Sequence, residues 1–293
     1  MNQATIIGIG ELLWDHFPDG RRPGGAPANV IYHTVCLGNR GILISRVGDD
    51  SDGRELTDYL RGKGIDTDTV QVDRDKPTGW VTVDISTEGD PSYTIASPVA
   101  WDYIRFEERL EGLAVETDAV VFGTLAQRSE VSAETIRQFL RQSGEHVLKV
   151  LDLNLRPGTD SEELIRTSLM MADILKVNLE EWDLLTQMLG VTSPETILME
   201  KFRISGICLT LGRNGSRWID ADRQIEQAAY PSDSSTGDAV GLGDAFTAVL
   251  TSELVKRMDP VDAMRNASRY AAIIAGKKGG MPAISASERN LLE

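Results

Sequence analysis

Short apolar runs alternate with amphipathic stretches along most of the chain. Ile, Leu and Val dominate these runs, which is typical of strands buried on both faces, and we predict strands at residues 4–10, 41–48, 119–122, 147–151, 174–177 and 207–211. Apolar positions three or four apart predict helices between them, over residues 27–37, 52–63, 131–143, 160–172 and 180–189. This alternation predicts an α/β fold, with a mostly parallel sheet that helices cover on both faces.

Two more helices are predicted towards the C-terminal end. The first follows Gly243 and repeats apolar residues three or four apart, at Phe246, Val249, Leu250 and Leu254. Asp259 and Pro260 then supply an N-cap acid and a first-turn proline. We predict that the helix they begin continues to about Lys278, before Gly279 and Gly280.

Residues 68–97 depart from the strand–helix alternation. Val81, Val83 and Ile85 alternate with Trp80, Thr82 and Asp84, a turn is predicted at Gly89-Asp90-Pro91, and a returning strand follows at 92–95. This pattern predicts a two-faced hairpin inserted among the βα units. A small sheet that projects from an α/β body in this way suits a lid or a dimer contact.

Composition narrows the classes of partner. The 293 residues suffice for one large α/β domain or two small ones, and the formal charge of −15 argues against nucleic acids and anionic membranes as partners. A local positive site for ATP is compatible with this charge. Cys36 and Cys208 lie in apolar runs and predict buried thiols. With no predicted signal peptide or membrane-spanning run, we expect a cytoplasmic protein.

A glycine turn, an acid and a helix start follow one another at residues 237–244. Unpaired N–H groups at a helix N-terminus suit an anion, and Gly241 and Gly243 would let the backbone approach it. Asp244 would repel that anion unless it acts as a base on a nucleophile. The alternative is an acid that merely complements the helix dipole.

A second glycine pair, Gly24-Gly25, precedes the helix predicted at Pro27 and brings Asn29 into its first turn. The alternative is a loop followed by an ordinary helix. Gly8-Ile9-Gly10 could begin a dinucleotide fingerprint, but Leu13 occupies the place of its third glycine and no helix opens there. A nicotinamide-dependent oxidoreductase is therefore disfavoured.

Polar residues gather where the predicted strands end. They are Asp152, Asn154 and Arg156 after one strand, Asn178 and Glu181 after the next, and Thr210 and Gly212 after the last. Ligands of parallel α/β sheets bind beyond the carboxyl ends of the strands, so we expect a site there.

Several of these motifs, in this order and spacing, resemble the PfkB (ribokinase-like) family of sugar and nucleoside kinases. The matching stretches are Gly24-Gly25-Ala26-Pro27-Ala28-Asn29, Asn178-x-x-Glu181, Thr210-Leu-Gly212-x-x-Gly215 and Asp238-Ala-Val-Gly-Leu-Gly-Asp244. Gly10-Glu11-Leu-Leu-Trp14-Asp15 and Asp152-Leu-Asn154-Leu-Arg156 are similar to the fructokinase branch. The resemblance spans essentially the whole chain and implies one ribokinase-like kinase domain over 1–293, with a small β lid from roughly 11–24 and 68–103.

The resemblance also implies roles for individual residues. Asp244 would be the base, with the N–H groups of Gly241, Leu242 and Gly243 as an anion hole; an Asp of ordinary pKa, about 3.9, needs no shift for this role. The sugar would contact Asp15, Gly24, Gly25, Asn29, Trp101 and Arg156. ATP would contact Asn178, Thr210, Gly212, Gly215, Gly241 and Gly243. Asn178 and Glu181 would organise Mg²⁺ largely through water, and Asp238 would bind a monovalent cation such as K⁺ with carbonyls of 275–285.

Each role has a plainer alternative. Asn178 and Glu181 could only begin a helix, Trp101 could fasten the lid to the body, and Arg156 could form a surface ion pair. Asp15 could be a solvated loop acid, and Asp238 a turn acid. The family usually has Thr where this chain has Ala239, and Ala where it has Leu242, so a hydrogen bond beside the phosphates is missing and the anion hole or acceptor site could be narrowed.

The resemblance implies an ATP-dependent kinase that phosphorylates the terminal hydroxyl of a sugar, most readily D-fructose to fructose 6-phosphate, and a homodimer through the lid sheets. Other acceptors remain open: ribose, 2-keto-3-deoxygluconate or a nucleoside. A phosphorylated sugar is disfavoured, because only Arg21-Arg22 offers a spare cationic pair. A sugar- or nucleotide-binding regulator without catalysis is the rival from a different class.

Overall fold

The computed structural model describes residues 3–85, 91–156, 158–232, 237 and 240–289. The strands in chain order are β1 (Thr5–Ile9), β2 (Leu13–Phe17), β3 (Gly20–Gly24), β4 (Arg40–Gly48), β5 (Val70–Asp73), β6 (Gly79–Ile85), β7 (Pro91–Ile95), β8 (Ala119–Phe122), β9 (Leu148–Asp152), β10 (Ile174–Asn178), β11 (Gly206–Thr210), β12 (Ser216–Ile219) and β13 (Gln224–Gln227). The α-helices are α1 (Ala26–Cys36), α2 (Ser51–Gly62), α3 (Arg109–Glu116), α4 (Glu130–Gln142), α5 (Glu162–Leu169), α6 (Leu179–Leu189), α7 (Glu195–Glu200), α8 (Leu242–Val255), α9 (Pro260–Ile274) and α10 (Ala286–Arg289).

Nine strands form the large sheet, in the order β13-β12-β11-β10-β9-β8-β1-β4-β5. Every neighbouring pair from β11 to β5 is parallel, whereas β12 and β13 add an antiparallel edge. The predicted mostly parallel sheet is therefore confirmed.

Apolar residues of the central strands explain why helices lie on both faces of this sheet. Ile7 and Ile44 belong to a buried cluster that includes side chains of α3 to α7. Ile6 and Leu43, one position away, belong to a second cluster with α1, α2, α8 and α9. Successive side chains of a strand point to opposite faces, so a continuous apolar run needs cover on both.

The second sheet is small, in the order β3-β2-β6-β7. The predicted hairpin is present, because β6 and β7 pair antiparallel with Val81 opposite Ile95. The predicted turn at Gly89-Asp90 falls outside the described residues. One face of this sheet carries a small apolar cluster of Leu13, Phe17, Val81 and Ile95.

The last long helix differs from its prediction. Asp259 caps α9 as expected, by accepting from the N–H of Val261, but the helix ends at Ile274 rather than near Lys278. The carbonyls of residues 280–282 instead accept hydrogen bonds from side chains of α1 and α2. These tertiary bonds hold the loop after α9. At the helix end itself, the N–H of Lys277 bonds to the carbonyl oxygen of Ile274, three residues back, where an α-helix would use a carbonyl four residues back. Within the described residues, no helix is both long and apolar enough to cross a membrane.

Candidate active site

A cavity of about 260 Å³ lies between the small sheet and the carboxyl ends of the large one. The apolar cluster of the small sheet forms part of its wall, and both glycine-led helix starts open into it. The lining residues are Glu11, Leu13, Asp15, Phe17, Gly25, Ala26, Asn29, Val81, Ile95, Leu125, Asn154, Arg156, Lys176, Val240, Gly241, Leu242, Gly243 and Asp244. The structure thus brings together predicted sugar-site and base residues from both ends of the chain.

Asp15 packs closely against the backbone of Gly24. A Cβ at Gly24 would lie 2.1 Å from Asp15 Oδ2, so the aspartate packs directly on the bare backbone. Gly25 has φ 106°, and a Cβ there would lie 2.4 Å from the carbonyl oxygen of Glu11. The absence of side chains at this glycine pair therefore allows Asp15 and the start of α1 to lie close together beside the cavity.

Glu11 is a site residue to which the sequence analysis assigned no role. It is 4% exposed, and its Oε1 accepts from the N–H of Ala26 at 3.1 Å. It thereby caps α1, because the N-cap residue Gly25 has no side chain to do so. Burial, with a smaller contribution from the charge of Asp244, raises the pKa of Glu11 to about 7. In the sequence, the sign of a role for Glu11 was its position as an acid close after the predicted buried strand of residues 4–10.

Asn29 and Asp244 meet inside the cavity wall. Asn29 Nδ2 donates to Asp244 Oδ2 at 2.7 Å, and both side chains are more than nine-tenths buried. Asn29 Oδ1 has no hydrogen-bond partner among the described residues. The two predicted residues therefore act as a unit, with one acceptor still available.

The surroundings of Asp244 correct the expectation of an ordinary pKa. Burial, reinforced by the negative charge of Asp152, raises the pKa of Asp244 to about 6. The hydrogen bond from Asn29 and the charges of Lys176 and Arg156 limit the rise. The carboxylate is therefore mostly ionised at pH 7, and its pKa is close enough to neutrality to suit a general base.

Lys176 places a buried positive charge under the start of α8. Its Nζ contacts both carboxylate oxygens of Asp152, at 2.9 and 3.0 Å, and Thr247 Oγ1 donates to the same carboxylate at 2.7 Å. Burial opposes the charge of Lys176, but the attraction of nearby carboxylates, chiefly Asp152, outweighs it and raises the pKa. A Cβ at Gly243 would lie 3.1 Å from this Nζ. In the sequence, a lysine within an apolar strand was the available sign of a buried ion pair, but the sequence analysis assigned Lys176 no role.

The start of α8 has the geometry of an anion hole. Gly241 is its N-cap in the left-handed region, with φ 75°, and Leu242 and Gly243 form its first turn beside the cavity. Leu242 lines the cavity, and its narrowing of the site remains an expectation. Asp238 and Ala239 lie outside the described residues, so the monovalent-cation site and the missing hydrogen bond predicted for them stay predictions.

Arg156 also lines the cavity. Its guanidinium donates to the carbonyl oxygen of Leu155 at 2.9 Å and forms no ion pair with any described residue. Among the described residues, Arg156 therefore does not form the surface ion pair given above as its alternative role. Its neighbour Asn154 has φ 39°, an uncommon conformation for a residue other than glycine.

Asn178 and Glu181 form a capping box at the start of α6. Glu181 donates its N–H to Asn178 Oδ1, and Asn178 returns its own N–H to Glu181 Oε2, each at 2.9 Å. Glu181 Oε1 accepts from the N–H of Leu155 at 2.8 Å. The helix-start alternative therefore describes their present contacts, and neither side chain lines the cavity.

The predicted nucleotide loop follows β11, next to this capping box. Thr210 lies opposite Asn178 in the sheet register. Gly212 and Gly215 have φ of 58° and 99°, and a Cβ at Gly215 would lie 2.0 Å from the carbonyl oxygen of Gln227. These residues share the carboxyl edge of the sheet with the cavity but do not line it.

Trp101 is fully buried and is not among the residues that line the cavity. The guanidinium of Arg128 stacks 3.9 Å from its ring centroid, and a Cβ at Gly79 would lie 2.3 Å from its indole nitrogen. Its side chain packs where β6 joins the body. This matches the fastening alternative rather than a wall of the sugar pocket.

Comparisons with known proteins agree with this geometry. Residues 19–286 match the family described as pfkB family carbohydrate kinase. The chain belongs to this family. This chain is 29% identical over 301 residues to a fructokinase of Escherichia coli, and the match covers 96% of this chain and 96% of the relative. It is 30% identical over 295 residues to the protein named "Putative sugar kinase PH1459" of Pyrococcus horikoshii, covering 94% of this chain and 91% of the relative.

Solved structures extend the likeness of this pfkB kinase. PH1459 in complex with ATP has a TM-score of 0.79 at 27% identity, covering 98% of this chain and 100% of that one. A fructokinase of Xylella fastidiosa with bound ATP has a TM-score of 0.88 at 21% identity, covering 98% and 97%, which is a likeness of fold. The protein is an ATP-dependent sugar kinase with a ribokinase-like fold.

Proposed function

We propose that this kinase transfers the γ-phosphate of ATP to the terminal hydroxyl of D-fructose, giving fructose 6-phosphate and ADP. The observation that carries the proposal is the shared cavity of Asp15, Asn29, Arg156 and Asp244, with the anion hole of α8 at its wall. The identity to fructokinases of Escherichia coli and Zea mays, at 29% and 27%, supports fructose as the acceptor.

Asp244 acts as the general base in this proposal. It accepts the proton of the attacking hydroxyl, which then forms a bond to the γ-phosphorus while the bond to the β-phosphate oxygen breaks. The N–H groups of Gly241, Leu242 and Gly243 stabilise charge on the transferring group. Lys176 and Arg156 contribute positive potential to the same wall. Catalysis thus depends on orientation and electrostatics rather than on a covalent intermediate.

Sugar hydroxyls fit the polar half of the cavity. Asp15 offers acceptors, and Asn29 keeps one free acceptor beside the base. The apolar face of the small sheet covers the opposite side through Leu13, Phe17, Val81 and Ile95. We assign this sheet, from roughly 11–24 and 68–103 of a single kinase domain, the role of a lid that excludes water and offers a homodimer contact.

ATP is assigned to the loop of Thr210, Gly212 and Gly215, beside the capping box. Asn178 and Glu181 would hold Mg²⁺ through water, which suits an ion that keeps much of its hydration shell and carboxylate oxygens already bonded to backbone N–H groups. Mg²⁺ would neutralise phosphate charge. Asp238 remains the proposed ligand for a monovalent cation such as K⁺.

An acceptor panel tests the proposal. Fructose, ribose, 2-keto-3-deoxygluconate, a nucleoside and fructose 6-phosphate are each supplied with ATP and Mg²⁺, and ADP is measured in a coupled assay. We expect the highest kcat/KM with fructose. A tenfold preference for another acceptor would overturn the fructose assignment, and absence of ADP with every acceptor would favour a binding protein without catalysis.

A further inference from the structure

Gly280, in the loop after α9, lies against both the first turn of α1 and the start of α8. A Cβ at Gly280 would lie 2.4 Å from Asn29 Nδ2, and a Cβ at Gly241 would lie 2.6 Å from the Cα of Gly280. Neither approach leaves space for a methyl group. The position of Gly280 therefore limits where both Asn29 and Gly241 can lie.

His33 holds Gly280 in that position. It follows Asn29 by one turn of α1 and is fully buried. Its Nε2 lies 3.0 Å from the carbonyl oxygen of Gly280, and its Nδ1 lies 3.0 Å from the hydroxyl of Tyr270 on α9. A carbonyl oxygen can only accept, so Nε2 carries the proton and Nδ1 accepts from Tyr270.

The imidazole is neutral in the folded protein. Burial lowers the pKa of His33 to about 3, although the bond to Gly280 opposes the change. The donor from Nε2 is thus present throughout the neutral pH range. The next two carbonyls of the loop accept from other side chains, Met281 from Tyr59 at 3.4 Å and Pro282 from Tyr32. His33 is the member of this set that holds the residue against which Asn29 packs.

We propose that His33 is a positioning residue of the active site, which acts through Gly280 on the Asn29–Asp244 hydrogen bond and on the anion hole. The inference rests on the proposed function of the same cavity, with Asp244 as base. His33 itself does not line the cavity. The chain of contacts runs from Tyr270 to His33, then to Gly280, and from Gly280 to Asn29 and Gly241.

Three variants separate positioning from stability. His33→Leu removes both hydrogen bonds. His33→Gln keeps an amide N–H that can donate to the carbonyl of Gly280. Thr34→Val is the matched control, because Thr34 is the next residue of α1, is equally buried, and its hydroxyl has no hydrogen-bond partner among the described residues. Tyr270→Phe is a milder fourth variant in case His33→Leu does not fold.

We expect His33→Leu to lower kcat by up to about 100-fold, with little change in KM for ATP, because small displacements of a reacting group are costly. We expect His33→Gln to recover most of this loss and Thr34→Val to retain wild-type kinetics. The carboxyl pKa of residue 244, followed by ¹³C NMR, should rise in His33→Leu because the hydrogen bond from Asn29 lowers it in the wild type. The other groups that face this carboxyl, unchanged in all variants, are Glu11, Asp152, Arg156 and Lys176.

The NMR titration does not depend on turnover, so it distinguishes the two proposals. A wild type without ADP formation would overturn the kinase proposal, while a raised pKa in His33→Leu would still support positioning. An unchanged pKa and kcat in His33→Leu would overturn the role of His33, and so would equal losses in the Leu, Gln and Thr34→Val variants. If Tyr270→Phe folds and His33→Leu does not, an unchanged pKa of the Asp244 carboxyl in Tyr270→Phe overturns the role of His33.

Discussion

Asn29 Nδ2 donates to Asp244 Oδ2 at 2.7 Å and so joins the first turns of α1 and α8, which are 215 positions apart in the sequence. The bond links the glycine loop beside the proposed sugar site to the proposed base beside the start of α8. It also favours the ionised form of a carboxyl group that burial drives towards protonation. In the proposed mechanism, one side-chain contact therefore connects sugar binding to proton transfer.

Replacement of Asp244 with Asn should abolish most turnover. The amide cannot take the hydroxyl proton, so we expect kcat to fall by about 10²–10⁴-fold. ATP affinity should change little, because the backbone N–H groups of Gly241 and Gly243 remain. Steady-state kinetics and calorimetric ATP titration measure the two effects. Near-wild-type turnover would remove Asp244 from its role as base.

The pH profile should show the raised pKa of Asp244. The ionised form is the active one, so kcat/KM for the sugar should fall as pH drops through about 6, approaching tenfold per pH unit. An ordinary Asp would hold its activity down to about pH 4. Rates from pH 4.5 to 8.5 with a stable acceptor test this. A profile that stays flat to pH 5 would contradict it.

A methyl group at Gly24 should displace Asp15 from the cavity, because the added Cβ would lie 2.1 Å from Asp15 Oδ2. We expect KM for the sugar to rise at least tenfold while KM for ATP is unchanged. Gly62→Ala is the matched control, since a Cβ at Gly62 meets no atom within 4 Å. Equal kinetics in the two variants would show that Asp15 does not contact the sugar.

Glu11→Gln should make the protein more stable than the wild type at alkaline pH. The folded protein keeps the Glu11 proton up to a pKa of about 7, whereas the unfolded chain releases it near 4.5, so the wild type loses stability as pH rises through this window. Gln is neutral and still accepts from the N–H of Ala26. Relative to the wild type, the variant's free energy of unfolding should therefore gain about 3 kcal/mol between pH 4.5 and pH 8.

Denaturant titrations of variant and wild type at both pH values measure this change through the difference between their unfolding midpoints. A constant difference between variant and wild type across the window would mean that Glu11 has an ordinary pKa. The same variant also clarifies the pH–rate profile, since it removes the other acid of the cavity that titrates near neutrality.

The fold was predictable because its signals are local. Continuous Ile and Val runs need cover on both faces, and the alternation at Val81 and Val83 has the period of a strand with two distinct faces. Asn29 and Asp244 lie together in the cavity because helices that follow parallel strands begin at one edge of the sheet. Asp15 reaches the same cavity from β2 of the small sheet.

The remainder depends on contacts between distant parts of the chain. No spacing shows that Glu11 caps α1, or that Lys176 pairs with Asp152 beneath the anion hole. The raised pKa of Asp244 comes from burial, which a sequence does not display. The loop that follows α9 is likewise held by side chains from distant elements, such as His33 of α1, whose ring lies 3.0 Å from the carbonyl oxygen of Gly280.

The distance in sequence between Asn29 and Asp244 has a consequence for biosynthesis. A nascent chain that has emerged only as far as Thr210 already contains the seven parallel strands of the large sheet, yet it lacks the proposed base and the proposed anion hole at the start of α8. With these proposed roles, we expect enzymatic activity to appear late in translation. Prematurely terminated products would be inert, and complementary N- and C-terminal fragments could report on their own reassembly through sugar phosphorylation.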